Sequence, residues 1–246
     1  NAHQTDIARE ACTGDWLFYL QADEVVHEKY HDAIVRRCEQ LLEDREIEGL
    51  LFGYRHFWGD YDHYQFGHSW YKNEIRIIRN DPEIHSWESA QSFRRIPGFD
   101  GKHYRQQKGT YKLKVARVDA EIYHYGWVRP PSLMQRKKQS LETIHKGAER
   151  AEAIYTKLAR TYDYGPLGRA RRHEDTHPEV MREWIGRFDW ADPLNYGKKD
   201  TNPGREKHKH DRPKYRILTW VENNLLGERT LGGFKNYRLL DRPPPA

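Results

Sequence analysis

Cysteine and methionine are almost missing from this 246-residue chain, with two of each. No apolar run approaches the roughly 18 residues that cross a bilayer as a helix. Cys12 and Cys38 lack CxxC spacing and fall on predicted helices, which argues against a disulfide scaffold or a cysteine zinc site and predicts free thiols in a reducing compartment. The start of the chain lacks the basic, apolar and small segments of a signal peptide. A soluble protein of the cytoplasm, or of the inner face of its membrane, is expected. Aliphatic residues are also scarce: only 37% of residues are hydrophobic and the mean hydropathy is -1.06. An excess of one charge is lacking as well. The 42 basic and 37 acidic side chains are intermixed and leave a formal charge of +5, which predicts no nucleic-acid partner and suits phosphate-bearing substrates or an anionic membrane surface.

Aromatic residues are what the chain does have, at 13%, including eight Trp and sixteen Tyr. That content opposes disorder and gives the rings much of the packing, with some free to stack on a saccharide or nucleotide.

Periodicity predicts a short helix around Ile7, Ala8 and Ala11 closed by a left-handed Gly14, then a continuously apolar central strand, Trp16 to Leu20, covered on both faces. An amphipathic helix from His27 to about Glu46 and a second apolar strand, Gly49 to Tyr54, follow. Residues 55–73 read as a ring-rich loop, and Glu74 to Arg79 as a strand. After the Asp81-Pro82 turn comes the segment from Ile84 to Arg94. Thr110–Val118 and Glu121–Tyr125 read as two further strands. Pro130-Pro131-Ser132 opens a long helix whose apolar stripe is Leu133, Leu141, Ile144, Ala148, Ile154, Tyr155 and Leu158. Residues 162–216 are polar, with Lys198 to Lys214 the candidate mobile linker, and a last helix runs from about Arg216 to Leu226 before Pro243-Pro-Pro245. No internal repeat is evident.

The chemistry concentrates where the first strand ends, at Gln21-Ala22-Asp23-Glu24. Ligands of open α/β sheets bind outside the carboxyl ends of strands, and hard divalent cations prefer carboxylate oxygen. The plainer alternative is that these acids begin the next helix at its positive end.

Asn1, Ala8-Arg9, Ala11, Gly14-Asp15, the Trp16–Leu20 run and Gln21-Ala22-Asp23-Glu24 resemble, in order and spacing over residues 1 to about 140, the family 2 glycosyltransferases, inverting enzymes of the GT-A fold. Two departures stand out. Gln21 occupies the place of the motif's usual first acid, and the sequence opens at the helix that in the family follows the first nucleotide-binding strands. The resemblance implies a mixed sheet flanked by helices, partly Rossmann-like, as a catalytic portion over 1–160, with a helical and loop-rich extension over 161–246. It implies a nucleotide-sugar donor, a saccharide, lipid-linked or protein acceptor, and a divalent cofactor, Mn²⁺ or Mg²⁺. Asp23 would hold the metal, and His124 would complete its shell unless it is an ordinary core histidine. Glu88, beside Trp87, fits the place of the general base, with His85 its rival. Gln21, Glu24, Arg76, Trp87, Tyr125, Arg129 and Lys137 would line the substrates, Arg129 foremost on the leaving diphosphate.

Two other classes remain open. A metal-dependent phosphohydrolase could use Asp23, His124 and the His173-Glu-Asp-Thr-His177 cluster, although that cluster lacks HExxH spacing. A binding module could use the basic 205–216 stretch on RNA or anionic lipid.

Overall fold

A computed structural model describes residues 2–88, 92–146, 161–232 and 235–240. Five helices are used below: α1 (Ala2–Glu10), α2 (His31–Gln40), α3 (Pro131–Lys146), α4 (Arg182–Gly186) and α5 (Pro213–Leu225). The strands are β1 (Trp16–Phe18), β2 (Glu24–Val26), β3 (Gly49–Trp58), β4 (His63–Gln65) and β5 (Asn73–Arg79). They continue with β6 (Ile84–Trp87), β7 (Ser92–Arg95), β8 (Tyr111–Trp127), β9 (Arg171–Arg172) and β10 (Tyr237–Leu239).

The strands form one mixed sheet flanked by helices, in the order β1-β5-β3-β8-β7-β6. β3 and β8 are parallel, and the other pairs on this path are antiparallel. β2 and β10 add to β8, and β4 and β9 extend β3. One face packs Leu50, Phe52, Ile77 and Ile122 against Ile34 and Leu41 around α2. On the other face Leu51, Ile75 and Val115 meet Ile84 and Phe93 of the β6–β7 hairpin. Each large side chain taken fully out of water there contributes roughly 1.5–3 kcal/mol before cavity terms. Among the described residues no helix is long and apolar enough to cross a membrane.

Several expectations are corrected. The apolar run at Trp16 makes a three-residue strand at the sheet's edge, not a central one; its one partner among the described residues is β5. Phe18 is exposed and stacks on Phe52 at 5.6 Å. Gly14 is not left-handed, since α1 has already ended at Glu10. The second helix is shorter than its periodicity suggested, preceded by a 3₁₀ turn at Glu28–Tyr30. β3 runs on through Trp58 and pairs with β4, so much of 55–73 is strand rather than loop. The two strands expected over 110–125 are one, with a register irregularity opposite Leu51–Gly53 absorbing the polar interruption at Asp119.

Met134, not Leu133, anchors α3, and Leu133 faces solvent. Ala148, Ile154, Tyr155 and Leu158, like Pro243–Pro245, lie outside the described residues. The segment 198–214 is no free linker. Its Arg205 is buried, donating to Asp211 at 2.7 Å and to Asp200 at 3.0 Å, and its His208 and His210 pack edge-on against Trp58.

Candidate functional site

Asp23 sits between β1 and β2, and the backbone fixes it twice. Its carbonyl accepts the Tyr125 N–H at 2.8 Å, and the next residue, Glu24, stands opposite His124 in the β2–β8 ladder. Its carboxylate lies 3.7 Å from His124 Nε2 through Oδ1, while Oδ2 accepts from Lys137 Nζ at 3.1 Å. Lys137 reaches across from α3 and also donates to the Gly126 carbonyl at 2.8 Å. His124 beside it holds the Asp23 carboxyl well below the usual carboxylate range; partial burial opposes this and Lys137 reinforces it. Gly126 closes the site from beneath. A Cβ there would stand 2.4 Å from Asp23 Oδ2 and 2.5 Å from His124 Nε2, so no side chain fits.

The histidine behind this pair fixes its protonation. His56 Nε2 lies 3.0 Å from the Tyr71 carbonyl, which can only accept, so this nitrogen carries the proton. Complete burial, and then His124 itself, push His56 well below the usual imidazole range, leaving its Nδ1 bare. His124 Nδ1, 3.1 Å away, must therefore donate to it. The remaining nitrogen, Nε2, points a lone pair at Asp23 whenever the ring is neutral. With a proton, Nε2 is the donor that lowers the Asp23 carboxyl; without one, two acceptors face each other and call for a cation between them.

Glu24 and Arg76 are committed to one another. Arg76 Nε and Nη2 donate to the two Glu24 oxygens at 2.7 Å each, with both side chains essentially out of water. The Tyr54 hydroxyl and the Gln21 N–H, the latter at 3.2 Å, complete the carboxylate's partners. Glu24 and Arg76 thus stand behind Asp23 as its support rather than in a substrate cleft, and Gln21 contributes its backbone N–H to that support. Next to them Glu74 is buried on β5, and desolvation, opposed by Arg76, raises its carboxyl to about 7.

The remaining candidates disperse. His85 is buried with Nδ1 2.9 Å from Asp6, whose other oxygen accepts the Ser86 N–H, so it anchors α1 to β6. Trp87 is buried, donates to the Gln106 carbonyl at 2.9 Å and carries the Arg94 guanidinium 4.5 Å above its ring. Glu88 directly follows β6. Its φ of 59° is left-handed and its N–H donates to the Tyr104 carbonyl at 2.7 Å. It borders a cleft of about 660 Å³ with His3, Lys102, Tyr104 and Arg105. A non-glycine residue in this region costs of order 1–3 kcal/mol, and such strain concentrates at functional positions.

Tyr125 gives Asp23 only its backbone. Its ring is stacked on Phe57 at 4.7 Å and its hydroxyl pairs with His177 Nδ1 at 2.8 Å, on the face of β8 opposite His124. The His173–His177 cluster therefore lies across the sheet from Asp23. The exposed Arg129 accepts the Tyr164 hydroxyl with its carbonyl at 2.9 Å.

Two residues of the site, His56 and Gly126, carry no motif that marks them. Their signal is the strand period, which puts His56 and His124 at the same ladder position of β3 and β8. Tyr71, packed edge-on against His56 at 4.4 Å, also walls a cleft of about 630 Å³ that holds Lys72, Arg117, Arg229 and Lys235.

No protein-family model, curated protein or solved structure matches the chain at a significant level.

Proposed function

We propose that the chain carries out metal-assisted, inverting sugar transfer from a nucleotide sugar to an acceptor hydroxyl, in the manner of the family 2 glycosyltransferases and on a GT-A type sheet. The observation that carries this reading is the meeting of Asp23, His124 and Lys137 just before β2, a carboxylate held well below its usual range beside an imidazole and an ammonium.

The donor set suits a small divalent ion. Two ligands each about 2.1 Å from one cation lie at most about 4.2 Å apart, and Asp23 Oδ1 and His124 Nε2 are 3.7 Å apart. Among the described residues no three His, Cys, Asp or Glu side chains converge, so diphosphate and water oxygens would fill the other positions. Bound Mn²⁺ or Mg²⁺ would supply charge neutralisation for the departing diphosphate. Lys137 pairs with the same diphosphate from the other side of Asp23. Glu88, on the separate cleft of His3 and Tyr104, is the candidate to accept the proton of the acceptor hydroxyl. The new bond forms at the anomeric carbon on the face opposite the breaking carbon–oxygen bond, and the nucleoside diphosphate leaves with that bond's electrons. The acceptor remains a saccharide, a lipid-linked glycan or a protein. A reducing compartment agrees with the unbridged Cys12 and Cys38.

Calorimetric titration with UDP and GDP tests the reading. Binding should require Mn²⁺ and weaken at least about tenfold in Asp23→Asn, while Glu88→Gln should bind normally and lose about 10²- to 10⁴-fold in turnover. Nucleotide binding by the folded chain that ignores both the metal and Asp23→Asn, or no such binding at all, would defeat it.

A further inference from the structure

The C-terminal helix α5 is turned the wrong way round for a soluble protein. Its docked face is fastened by polar groups. Glu222 is completely buried and accepts from His68 Nδ1 at 2.5 Å, Lys72 Nζ at 3.2 Å and the Leu231 N–H at 2.9 Å. One turn earlier, the Thr219 hydroxyl oxygen accepts the His68 N–H at 3.0 Å. Half-buried Leu218 and Val221 accompany these groups, but Ile217 is 64% and Trp220 59% exposed, as is Leu225 at 65% near the end of the helix. Pro213, Ile217 and Trp220 fall at helical spacing, and with Arg216 they line one shallow surface cleft.

The charge around this stripe has one sign. From residue 209 to the end of the helix the exposed charged side chains are Lys209, Arg212, Lys214 and Arg216. The two acids of the stretch are both buried: Glu222 as described, and Asp211 against Arg205 and Arg169. An exposed stripe of Pro213, Ile217 and Trp220 bordered by cations is the composition of a helix that lies in the interface of an anionic bilayer, the indole ring at headgroup level and the bases on lipid phosphate.

We propose that α5 is a membrane-docking helix, with Ile217 and Trp220 entering the headgroup–acyl boundary and Arg212, Lys214 and Arg216 engaging anionic lipid headgroups. A second copy of the chain is a poorer occupant, because pairing this face with itself sets the same cations against one another. The inference does not depend on the sugar-transfer reading.

Co-sedimentation of the full chain with phosphatidylcholine vesicles, with and without phosphatidylglycerol, at low and high salt, decides the matter. Binding should appear only with phosphatidylglycerol and be released by salt. It should fall at least about tenfold in Ile217→Ser/Trp220→Ser and in Arg212→Gln/Lys214→Gln/Arg216→Gln. Both variants change exposed side chains, and an unchanged thermal midpoint verifies the fold. Absence of binding to anionic vesicles, or equal binding by the Ile217→Ser/Trp220→Ser variant, overturns the proposal. So does self-association in light scattering that this variant abolishes, which would give the face to a second copy.

Discussion

The Glu24–Arg76 pair lends itself to a sharp quantitative test. Both side chains are essentially inaccessible, so both charges have lost their hydration, and two charge-assisted bonds of 2.7 Å replace it. Arg76→Met removes one partner and leaves the Glu24 carboxylate with only the Tyr54 hydroxyl and the Gln21 N–H. Breaking a buried pair from one side typically costs about 3–5 kcal/mol, a large part of the roughly 5–15 kcal/mol that keeps a domain folded. Glu24→Met alone strands the guanidinium and should cost a similar amount. In Glu24→Met/Arg76→Met neither charge of the pair remains, and two flexible apolar chains occupy comparable volume. The double variant should therefore be no less stable than either single one, which corresponds to a coupling energy of about 3 kcal/mol or more. Urea unfolding followed by tryptophan fluorescence, with the m-value held constant across the four proteins, measures it. Additive losses would refute the reasoning and mean that water reaches the pair.

Further expectations concern the site and its surroundings. In Gly126→Ala the new methyl would overlap Asp23 and His124, so metal-dependent nucleotide binding should weaken more than about tenfold; stability should fall by about 1–3 kcal/mol, read by calorimetry and thermal melts. Burial first, and His173 second, lower His177 to about 4, whereas the unfolded chain protonates its histidines near 6.5. The unfolded state thus takes up the proton first, and stability should decline as the pH falls from about 6.5 to 4 and level off below; denaturation against pH should show a shallower decline in His177→Gln. His210, also lowered to about 4 by burial, adds to the same limb. Arg205→Met removes the cation that ties Asp200 and Asp211, so limited trypsinolysis should speed up at Lys198, Lys199 and Lys207 while far-ultraviolet dichroism stays unchanged.

Where side-chain pattern and environment agree, the sequence was readable. The Ile75–Ile77–Ile78 strand and the C-terminal helix opened by Pro213 fall within a few residues of their expected limits. Misreadings arose where a pattern has two physical causes. Five consecutive apolar residues from Trp16 describe a doubly covered strand, yet here the ring of Phe18 is satisfied by one neighbour at a sheet edge. Polarity at 198–214 reads as solvation, but Arg205 and Asp211 spend their charges on each other, and composition cannot separate a paired ion from a hydrated one.

The site divides in the same way. Attention to Asp23 and His124 picked out residues that the fold brings together, and Lys137, expected among the substrate-lining residues, is the cation on the Asp23 carboxylate. His56 and Gly126 escaped notice because their roles depend on which strands lie side by side.

The 17-residue strand β8 touches partners from nearly the whole chain, with Glu24 about 100 residues before His124 and Tyr237 more than 120 residues after Leu113. Apart from β7, which ends at Arg95 shortly before β8 begins at Tyr111, its neighbours are distant in sequence, so most of its two edges is filled only after long loops have closed. Folding should accordingly be slow, with the central pairing as its bottleneck. Until β2, β3, β7 and β10 have all arrived, β8 is a long unpaired template, and the growing chain would benefit from a chaperone at that stage.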